Sequence, residues 1–279
     1  MEEFKSFYKE VKGNEGQKCH YNARLDTYGC GCQHDCSYCY AKSLLSFRGL
    51  WDAKEPSVAD MEKIRRKIRR LPKGKVIRLG GMTDCFAPIE RSHRITYSTI
   101  KVLNAYGIPY LIVTKSPLVA EYSKILRKDL AHIQITVTCF DDERYKALNY
   151  EKAPLPSERI KAAEQLQAEG FDVALRLSPF IPEFFTSEDY EALNKSKVDK
   201  VIVEFLRVNT WVKKWFDIDF TPYTVKHGGY QHLPLETKIE AIKKITGKEV
   251  SVCEDEDRAY EYWKNNFNPN PKDCCNLRR

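Results

Sequence analysis

Short apolar segments rich in β-branched residues alternate with amphipathic segments along most of this chain of 279 residues. Apolar runs of this kind are typical of buried strands, and apolar residues repeating every three to four positions are typical of helices. The predicted strands are 24–28, 76–79, 110–113, 133–138, 172–177 and 200–206. The predicted helices that follow them are 41–48, 57–71, 91–106, 118–127, 157–169 and 187–194.

This alternation predicts parallel strands joined by helical crossovers. Six strand–helix units are too few to close an eight-stranded barrel, so we predict an α/β fold of the TIM type that forms an open, partial (β/α)6 barrel. We assign residues 1–23 to an N-terminal extension, 24–210 to the partial barrel, and 211–279 to a small C-terminal extension. That last part is rich in aromatic residues and contains cysteines.

The predicted helix 57–71 has a strongly basic outer face. Ser57 is its expected N-cap, and its apolar face holds Met61, Ile64 and Ile68. The opposite face, with Lys63, Arg65, Arg66, Lys67, Arg69 and Arg70, is either a phosphate-binding stripe or a solvated surface. We prefer the solvated surface, since a barrel helix packs on the outside, away from the active-site mouth.

Composition narrows the class of protein further. The first 20 residues contain no apolar signal region and no run of 18 apolar residues occurs, so we expect a soluble, cytoplasmic protein without a membrane partner. Ten cysteines in such a protein indicate metal ligands rather than disulfides. The net charge of +7 is compatible with a nucleic-acid partner without requiring one.

Three of these cysteines lie in one short loop. Cys32, Cys36 and Cys39 follow the first predicted strand at spacings of four and three residues. Three thiolates on one loop can bind three irons of a 4Fe–4S cubane and leave the fourth iron open to a small molecule. The alternative is a zinc site with His34 as fourth ligand, but His34 lies inside the same loop, where tetrahedral geometry is difficult to close.

Polar or glycine residues follow several of the predicted strands. In parallel barrels, loops at the carboxyl ends of the strands form the active site. Each of these residues alone has a plausible structural role, but on successive strands they predict one ligand site. They are Gly80, Gly81, Thr83, Asp84, Lys115, Thr138 and Arg176.

The cysteine loop, with Tyr38 and Tyr40 on either side of Cys39, resembles that of the radical S-adenosylmethionine (SAM) enzymes. The segments 80–90, 114–117, 153–159 and 176–182 further resemble the spore photoproduct lyase-like branch. The resemblance implies that the three cysteines bind a 4Fe–4S cluster and that Tyr38 lies beside the adenine of SAM. It also implies that Lys115 contacts the SAM carboxylate or ribose, that 80–84 bound the methionine amino group, and that Arg176 completes the pocket.

The resemblance also suggests groups that donate a hydrogen atom to a product radical. In the lyase, a cysteine shortly before the Thr/Ser-Asp pair has this role, whereas here the nearest thiol, Cys85, follows Asp84. We therefore predict Cys85 or a flanking tyrosine, Tyr38 or Tyr40, as the donor. The alternative for Cys85 is a buried, inert thiol, which is common for this residue.

The family chemistry requires a low-potential electron donor of the flavodoxin or ferredoxin type, which reduces the cluster that cleaves SAM. By the resemblance, the substrate is a thymine-derived pyrimidine, free or in nucleic acid, and the enzyme is a lyase or an isomerase. Basic charge and aromatic residues able to stack on bases agree with this. The alternatives are a radical SAM enzyme acting on a small metabolite or peptide, and an iron–sulfur electron carrier without catalysis.

Three more cysteines lie near the C-terminus. Our hypothesis is that Cys253, Cys274 and Cys275 bind a second 4Fe–4S cluster, with Cys19 or Cys30 as a fourth ligand. Metal binding would stabilise a tail that has little apolar content of its own. The alternative is that these cysteines are free thiols.

Overall fold

The computed structural model describes residues 7–12, 18, 21, 23–148 and 150–277. Its strands are β1 Tyr8–Glu10, β2 Ala23–Leu25, β3 Tyr28–Gly29, β4 Ser57–Val58, β5 Ile77–Leu79, β6 Tyr110–Thr114, β7 Ala131–Val137, β8 Asp172–Phe180, β9 Lys200–Phe205, β10 Val225–His227, β11 Tyr230–His232 and β12 Glu249–Val252. Its helices are α1 Tyr40–Phe47, α2 Met61–Ile68, α3 Glu90–His93, α4 Ile95–Tyr106, α5 Leu118–Glu121, α6 Asp142–Leu148, α7 Pro156–Ala168, α8 Ser187–Lys195, α9 Thr210–Trp215, α10 Leu235–Ile242 and α11 Asp257–Asn266.

One eight-stranded sheet organises the molecule, in the order β1-β2-β5-β6-β7-β8-β9-β12. The six strands from β2 to β9 are parallel and follow one another along the chain, so the predicted partial barrel is confirmed. The edge strand β1 is antiparallel to β2, while β12 is parallel to β9 at the other edge. The sheet therefore continues past residue 210, the predicted boundary of the C-terminal extension.

The central strands are apolar because both of their faces are covered. Every residue of β9 except Glu204 is buried, and so is every residue of β7 except His132. On the outside, α4 buries Ile100 and Leu103, and α7 buries a face of alanine and leucine against β7 and β8. Charged residues inside such strands must therefore face the barrel interior.

The basic helix begins later than predicted. Ser57 lies in β4, which pairs with β3, and the N-cap is Asp60, whose carboxylate accepts from the backbone nitrogens of Glu62 (2.7 Å) and Lys63 (3.3 Å). A carboxylate is an equally good cap, and the apolar spacing alone cannot distinguish the two. The arginines of α2 are exposed, as on a solvated outer face.

Two other predicted helices differ from the observed ones. The segment 91–106 forms two helices, α3 and α4, because Arg94 between them has a left-handed backbone (φ 53°). The helix predicted at 118–127 is only the short α5. None of the helices in the described residues combines the length and the apolar character that a membrane span requires.

Residues 274–277 close the barrel at the amino ends of its strands; we call them the floor. Cys274, Cys275 and Leu277 pack against Tyr21, Val76 and Leu111. The carbonyl of Cys275 accepts from Gln134 Nε2 (3.1 Å), and that of Asn276 accepts from Lys200 Nζ (2.8 Å). The floor thus ties together β6, β7 and β9 from below.

Candidate functional site

The three cysteines of the loop line one pocket at the carboxyl ends of the strands, which we call the cluster pocket. Cys39 is the N-cap of α1, and its Sγ accepts from the backbone nitrogen of Lys42 (3.5 Å). The loop is fixed from outside because the backbone nitrogen of Ser37 donates to the carbonyl of Tyr150 (2.9 Å). The helix N-terminus favours negative charge on the Cys39 sulfur.

Burial keeps these thiols protonated until a metal replaces the protons. It raises the pKa of Cys32 to about 12, with a further contribution from the negative charge of Asp84. Burial likewise raises the pKa of Cys36, with the carboxylate of Glu151 adding to it. Metal binding releases such protons, so the positive charge of the metal is needed to hold three thiolates here.

The three sulfurs are not arranged around a single ion. A tetrahedral zinc ion holds its sulfur ligands about 3.8 Å apart, since each Zn–S bond is about 2.3 Å. Within the described residues, the sulfurs of Cys32, Cys36 and Cys39 do not all lie within 4.8 Å of one another. A cubane spreads its thiolates because each binds a different iron. His34, the zinc alternative's fourth ligand, instead lies 3.2 Å from Asp84 through its Nε2.

Asp84 ties two strand ends to the cysteine loop. Its carboxylate accepts from Thr114 Oγ1 (2.7 Å) and from the backbone nitrogen of Lys115 (2.7 Å). Burial alone raises a carboxyl pKa, but His34 and these donors outweigh it and hold the pKa of Asp84 below its usual value. Asp84 therefore stays ionised and positions the ends of β5 and β6.

The predicted glycines let the backbone approach its neighbours closely. Gly80 has φ +77°, a conformation that side chains disfavour. A Cβ on Gly81 would lie 2.5 Å from Cδ of Arg24. The backbone nitrogen of Gly81 donates to the buried carboxylate of Asp26 (2.6 Å), and Thr83 Oγ1 donates to the carbonyl of Gly31 (2.6 Å). This wall of the cluster pocket is thus built from backbone atoms.

Lys115 lines the cluster pocket and is paired with Glu151, which is buried behind the lining. Lys115 Nζ lies 3.4 Å from Glu151 Oε2 and donates to the carbonyl of Ser178 (3.3 Å); burial lowers the pKa of this lysine to about 8. Glu151 also accepts from the hydroxyl of Tyr38 and from Arg159 Nη2 (2.8 Å). Glu151 was not predicted from the sequence. Its only indication there is a charged residue just before the segment 153–159, which resembles the family.

The two predicted tyrosines both line the cluster pocket. The ring of Tyr38 packs edge-on against Tyr150 and Phe216. The hydroxyl of Tyr40 donates to the carbonyl of Gly81, so this ring spans the mouth between α1 and β5. Arg176, also on the wall, is paired with Glu204 (2.7 Å).

The structure does not bring every predicted site residue to this pocket. The hydroxyl of Thr138 is bonded to that of Tyr150 (3.0 Å), away from the lining. Cys85 is 1% exposed and lies behind Gly80. Cys253, Cys274 and Cys275 lie toward the floor, where Cys274 is hydrogen-bonded to Cys253, and Cys19 is outside the described residues.

Comparison with known proteins identifies the family. The sequence model described as "Radical SAM superfamily" matches residues 27–194, which is more than half of the chain. The chain belongs to the radical SAM superfamily. This agrees with the cysteine loop at the start of the matched region. The family implies a 4Fe–4S cluster and SAM as cofactors, and the cluster pocket has the residues to hold them.

Two relatives that match in sequence are both uncharacterized proteins. The chain is 25% identical to an uncharacterized protein of Methanocaldococcus jannaschii over 64% of this chain and 68% of that protein. It is also 25% identical to an uncharacterized protein of Mycobacterium tuberculosis, over 57% of this chain and half of the mycobacterial protein.

Among solved structures, spore photoproduct lyase complexed with dinucleoside spore photoproduct has a TM-score of 0.69 at 13% identity, covering 90% of this chain and 81% of that one. SuiB of Streptococcus suis bound to SAM has a TM-score of 0.54 at 15% identity, covering 84% and 51%. At these identities the likeness concerns the fold.

Proposed function

We propose that this radical SAM enzyme acts on a thymine-derived pyrimidine, free or in nucleic acid, as a lyase or an isomerase. The observation that carries the proposal is a second cavity, basic and partly aromatic, that shares Tyr40, Arg78 and Arg207 with the cluster pocket. A base placed there would lie beside the SAM site. The lyase of the same fold is solved with a dinucleoside photoproduct, which agrees with this class of substrate.

A 4Fe–4S cluster at this site would supply the electron for reductive cleavage of SAM, and a low-potential flavodoxin- or ferredoxin-type partner would reduce the cluster. The chain's own residues hold and shield the reactants. Cys32, Cys36 and Cys39 ligate the irons, and the backbone of Gly80 and Gly81 borders SAM. The SAM site is completed by four polar side chains, Thr83, Asp84, Lys115 and Arg176. Thr138 would contribute only indirectly, through its hydrogen bond to Tyr150.

Three packed aromatic rings protect one side of the reaction space from water. Tyr38, Tyr150 and Phe216 form one edge-to-face cluster with ring centroids 5.6–5.8 Å apart. All three rings are buried, so they shield one side of the cysteine loop from solvent. If a product radical is quenched, we assign the hydrogen donor to Tyr38 or Tyr40, which line the cluster pocket, ahead of Cys85, which does not.

One experiment tests the proposal. Anaerobically reconstituted protein is incubated with SAM, dithionite and a thymine-containing oligonucleotide, irradiated or not, and 5′-deoxyadenosine is quantified. We expect cleavage that increases about tenfold or more when the correct substrate binds, since substrate binding completes the shielded site. Cleavage without any response to thymine compounds would favour a small metabolite or a peptide. No cleavage at all would favour the electron carrier.

A further inference from the structure

The second cavity has a volume of about 430 Å³ and lies between the cluster pocket above and the floor below. Its lower wall includes Tyr21, Leu111 and Cys275, and its upper wall includes Tyr40 and Arg176. We call it the arginine cavity, after the four arginines that line it: Arg24, Arg78, Arg176 and Arg207. Three of these arginines, Arg78, Arg176 and Arg207, also line the cluster pocket, so the two cavities share this wall.

The arginines come from different strands but converge. Arg24 on β2 and Arg78 on β5 are register partners in the parallel sheet, so their side chains lie side by side. Arg176 comes from β8, and Arg207 follows β9. Arg207 is held between two aromatic rings, with Cζ 5.6 Å from the centroid of Tyr40 and 5.7 Å from that of Tyr230. Such stacking fixes the guanidinium plane in advance of ligand binding.

Cationic side chains outnumber acidic ones in the lining of this cavity. Six cationic residues (Lys9, Lys18, Arg24, Arg78, Arg176 and Arg207) and three acidic residues (Glu204, Glu254 and Asp255) line the cavity within the described chain. Arg176 (2.7 Å) and Arg207 (3.1 Å) share Glu204, and Arg207 also pairs with Asp255 (3.0 Å). Glu254 is paired with Lys238, which lies outside the cavity.

The guanidinium of Arg78 has a donor nitrogen that the described residues leave without a hydrogen-bond partner. Its Nη1 donates to the hydroxyl of Tyr21 (3.2 Å), a neutral acceptor, and its Nε is buried without a hydrogen-bond partner among the described residues. Burial lowers the pKa of neighbouring Arg24, and repulsion from Arg78 and Arg207 adds to this, while Tyr40 and Asp26 act in the opposite direction. For Arg78, the surrounding Tyr21, Tyr40 and Glu204 outweigh burial and raise the pKa, so its guanidinium stays charged and can bind an anion.

We propose that the arginine cavity binds a phosphate group of the substrate, held chiefly by Arg78 with Arg24 and Arg207 beside it. Arginine forks match phosphate oxygens in pairs, and several guanidinium groups together suit a multiply charged phosphate better than a single carboxylate. Tyr40 and Tyr230 offer faces for an attached base. The inference rests on the proposed function and refines it: the substrate is phosphorylated, as a nucleotide or as a short oligonucleotide whose phosphodiester enters the barrel.

Binding tests the inference without requiring catalysis. Equilibrium dialysis of the reconstituted protein, saturated with SAM, would use four probes: inorganic phosphate, thymidine 5′-monophosphate, thymidylyl-thymidine and uncharged thymidine. We expect the phosphorylated probes to bind at least about tenfold more tightly than thymidine, since hydrogen bonds to a charged group contribute on the order of tenfold each. The monophosphate and the dinucleotide distinguish a terminal phosphate from a phosphodiester.

The variant pair Arg24→Gln/Arg78→Gln should weaken phosphate and thymidine monophosphate binding by about 100-fold. The matched control, Arg69→Gln/Arg70→Gln, removes the same charge from the exposed end of α2 and should change neither. Circular dichroism and iron content show whether each variant is folded. If the first pair does not fold, Arg78→Lys, which keeps the charge but loses the fork, should weaken binding by about tenfold.

Two results would overturn the inference. One is wild-type protein that binds the phosphorylated probes no better than thymidine at matched ionic strength. The other is phosphate that displaces SAM, because the arginines would then serve the cofactor. Failure of the proposed function appears differently, as absent or unresponsive 5′-deoxyadenosine formation while phosphate binding persists.

Discussion

The chain has two groups of three cysteines, and the two groups lie in different surroundings. The three cysteines of the loop lie within eight consecutive residues and line one pocket. Those of the C-terminal region are brought together by the fold: Cys253 follows β12, whereas Cys274 and Cys275 are packed among apolar side chains of the floor. The loop cysteines are thus placed together by their sequence spacing, whereas the C-terminal cysteines are placed together by tertiary packing.

The largest effect is expected in the loop. Cys36→Ala should abolish SAM cleavage, because two thiolates cannot hold the three irons that leave one iron open for SAM. The measurement is 5′-deoxyadenosine formation together with iron content after anaerobic reconstitution. Cys139→Ala, which removes a buried thiol outside the pocket, is the control and should retain both. Full cleavage by the Cys36 variant would refute the ligand assignment.

A second test concerns the C-terminal cysteines, whose cluster stays a prediction. If Cys253, Cys274 and Cys275 hold a second cubane, wild-type protein should contain about eight irons and the triple alanine variant about four. In the structure Cys274 is hydrogen-bonded to Cys253 and neither forms a disulfide within the described chain, which agrees equally well with unligated thiols. If wild-type protein never contains more than four irons, the second-cluster hypothesis is refuted. Only the loop cysteines would then be cluster ligands.

The floor itself should contribute stability rather than chemistry. Lys200→Met removes a buried ion pair with Asp172 (2.8 Å) and the bond to Asn276, so we expect unfolding free energy to fall by about 3 kcal/mol. Urea unfolding of cluster-loaded protein checks this. Lys195→Met removes an exposed pair with Glu191 and should cost under about 1 kcal/mol. A large loss of SAM cleavage per folded Lys200→Met protein would contradict the separation of roles.

Cys85→Ala should have the smallest effect. Its thiol is buried behind Gly80 and does not line the cluster pocket, so SAM cleavage and product distribution should change by less than about twofold. Tyr40→Phe, which removes a hydroxyl at the pocket mouth, is the informative comparison. A shift in products for Cys85→Ala alone would restore the thiol as hydrogen donor.

The periodicity predicted the six parallel strands correctly because alternating apolar and amphipathic segments encode the barrel locally. The cysteine loop could also be predicted from the sequence, since its three cysteines are close together along the chain. The arginine cavity was not predicted: Arg24 and Arg78 each appear as a lone charge inside an apolar strand, and only the sheet register brings them together. Glu151 was missed for the same reason, because its partners Tyr38 and Arg159 lie on separate elements.

The floor also constrains the order in which the barrel matures. Its contact between Gln134 and Cys275 joins residues 141 positions apart, so the base of the barrel is completed only after residue 275 has been synthesised. Contacts of such long range form late, because a large loop must first be closed. Until then the amino ends of the strands have no floor. The three cysteines of the loop, at the opposite end of the barrel, are therefore synthesised long before the floor that closes its base.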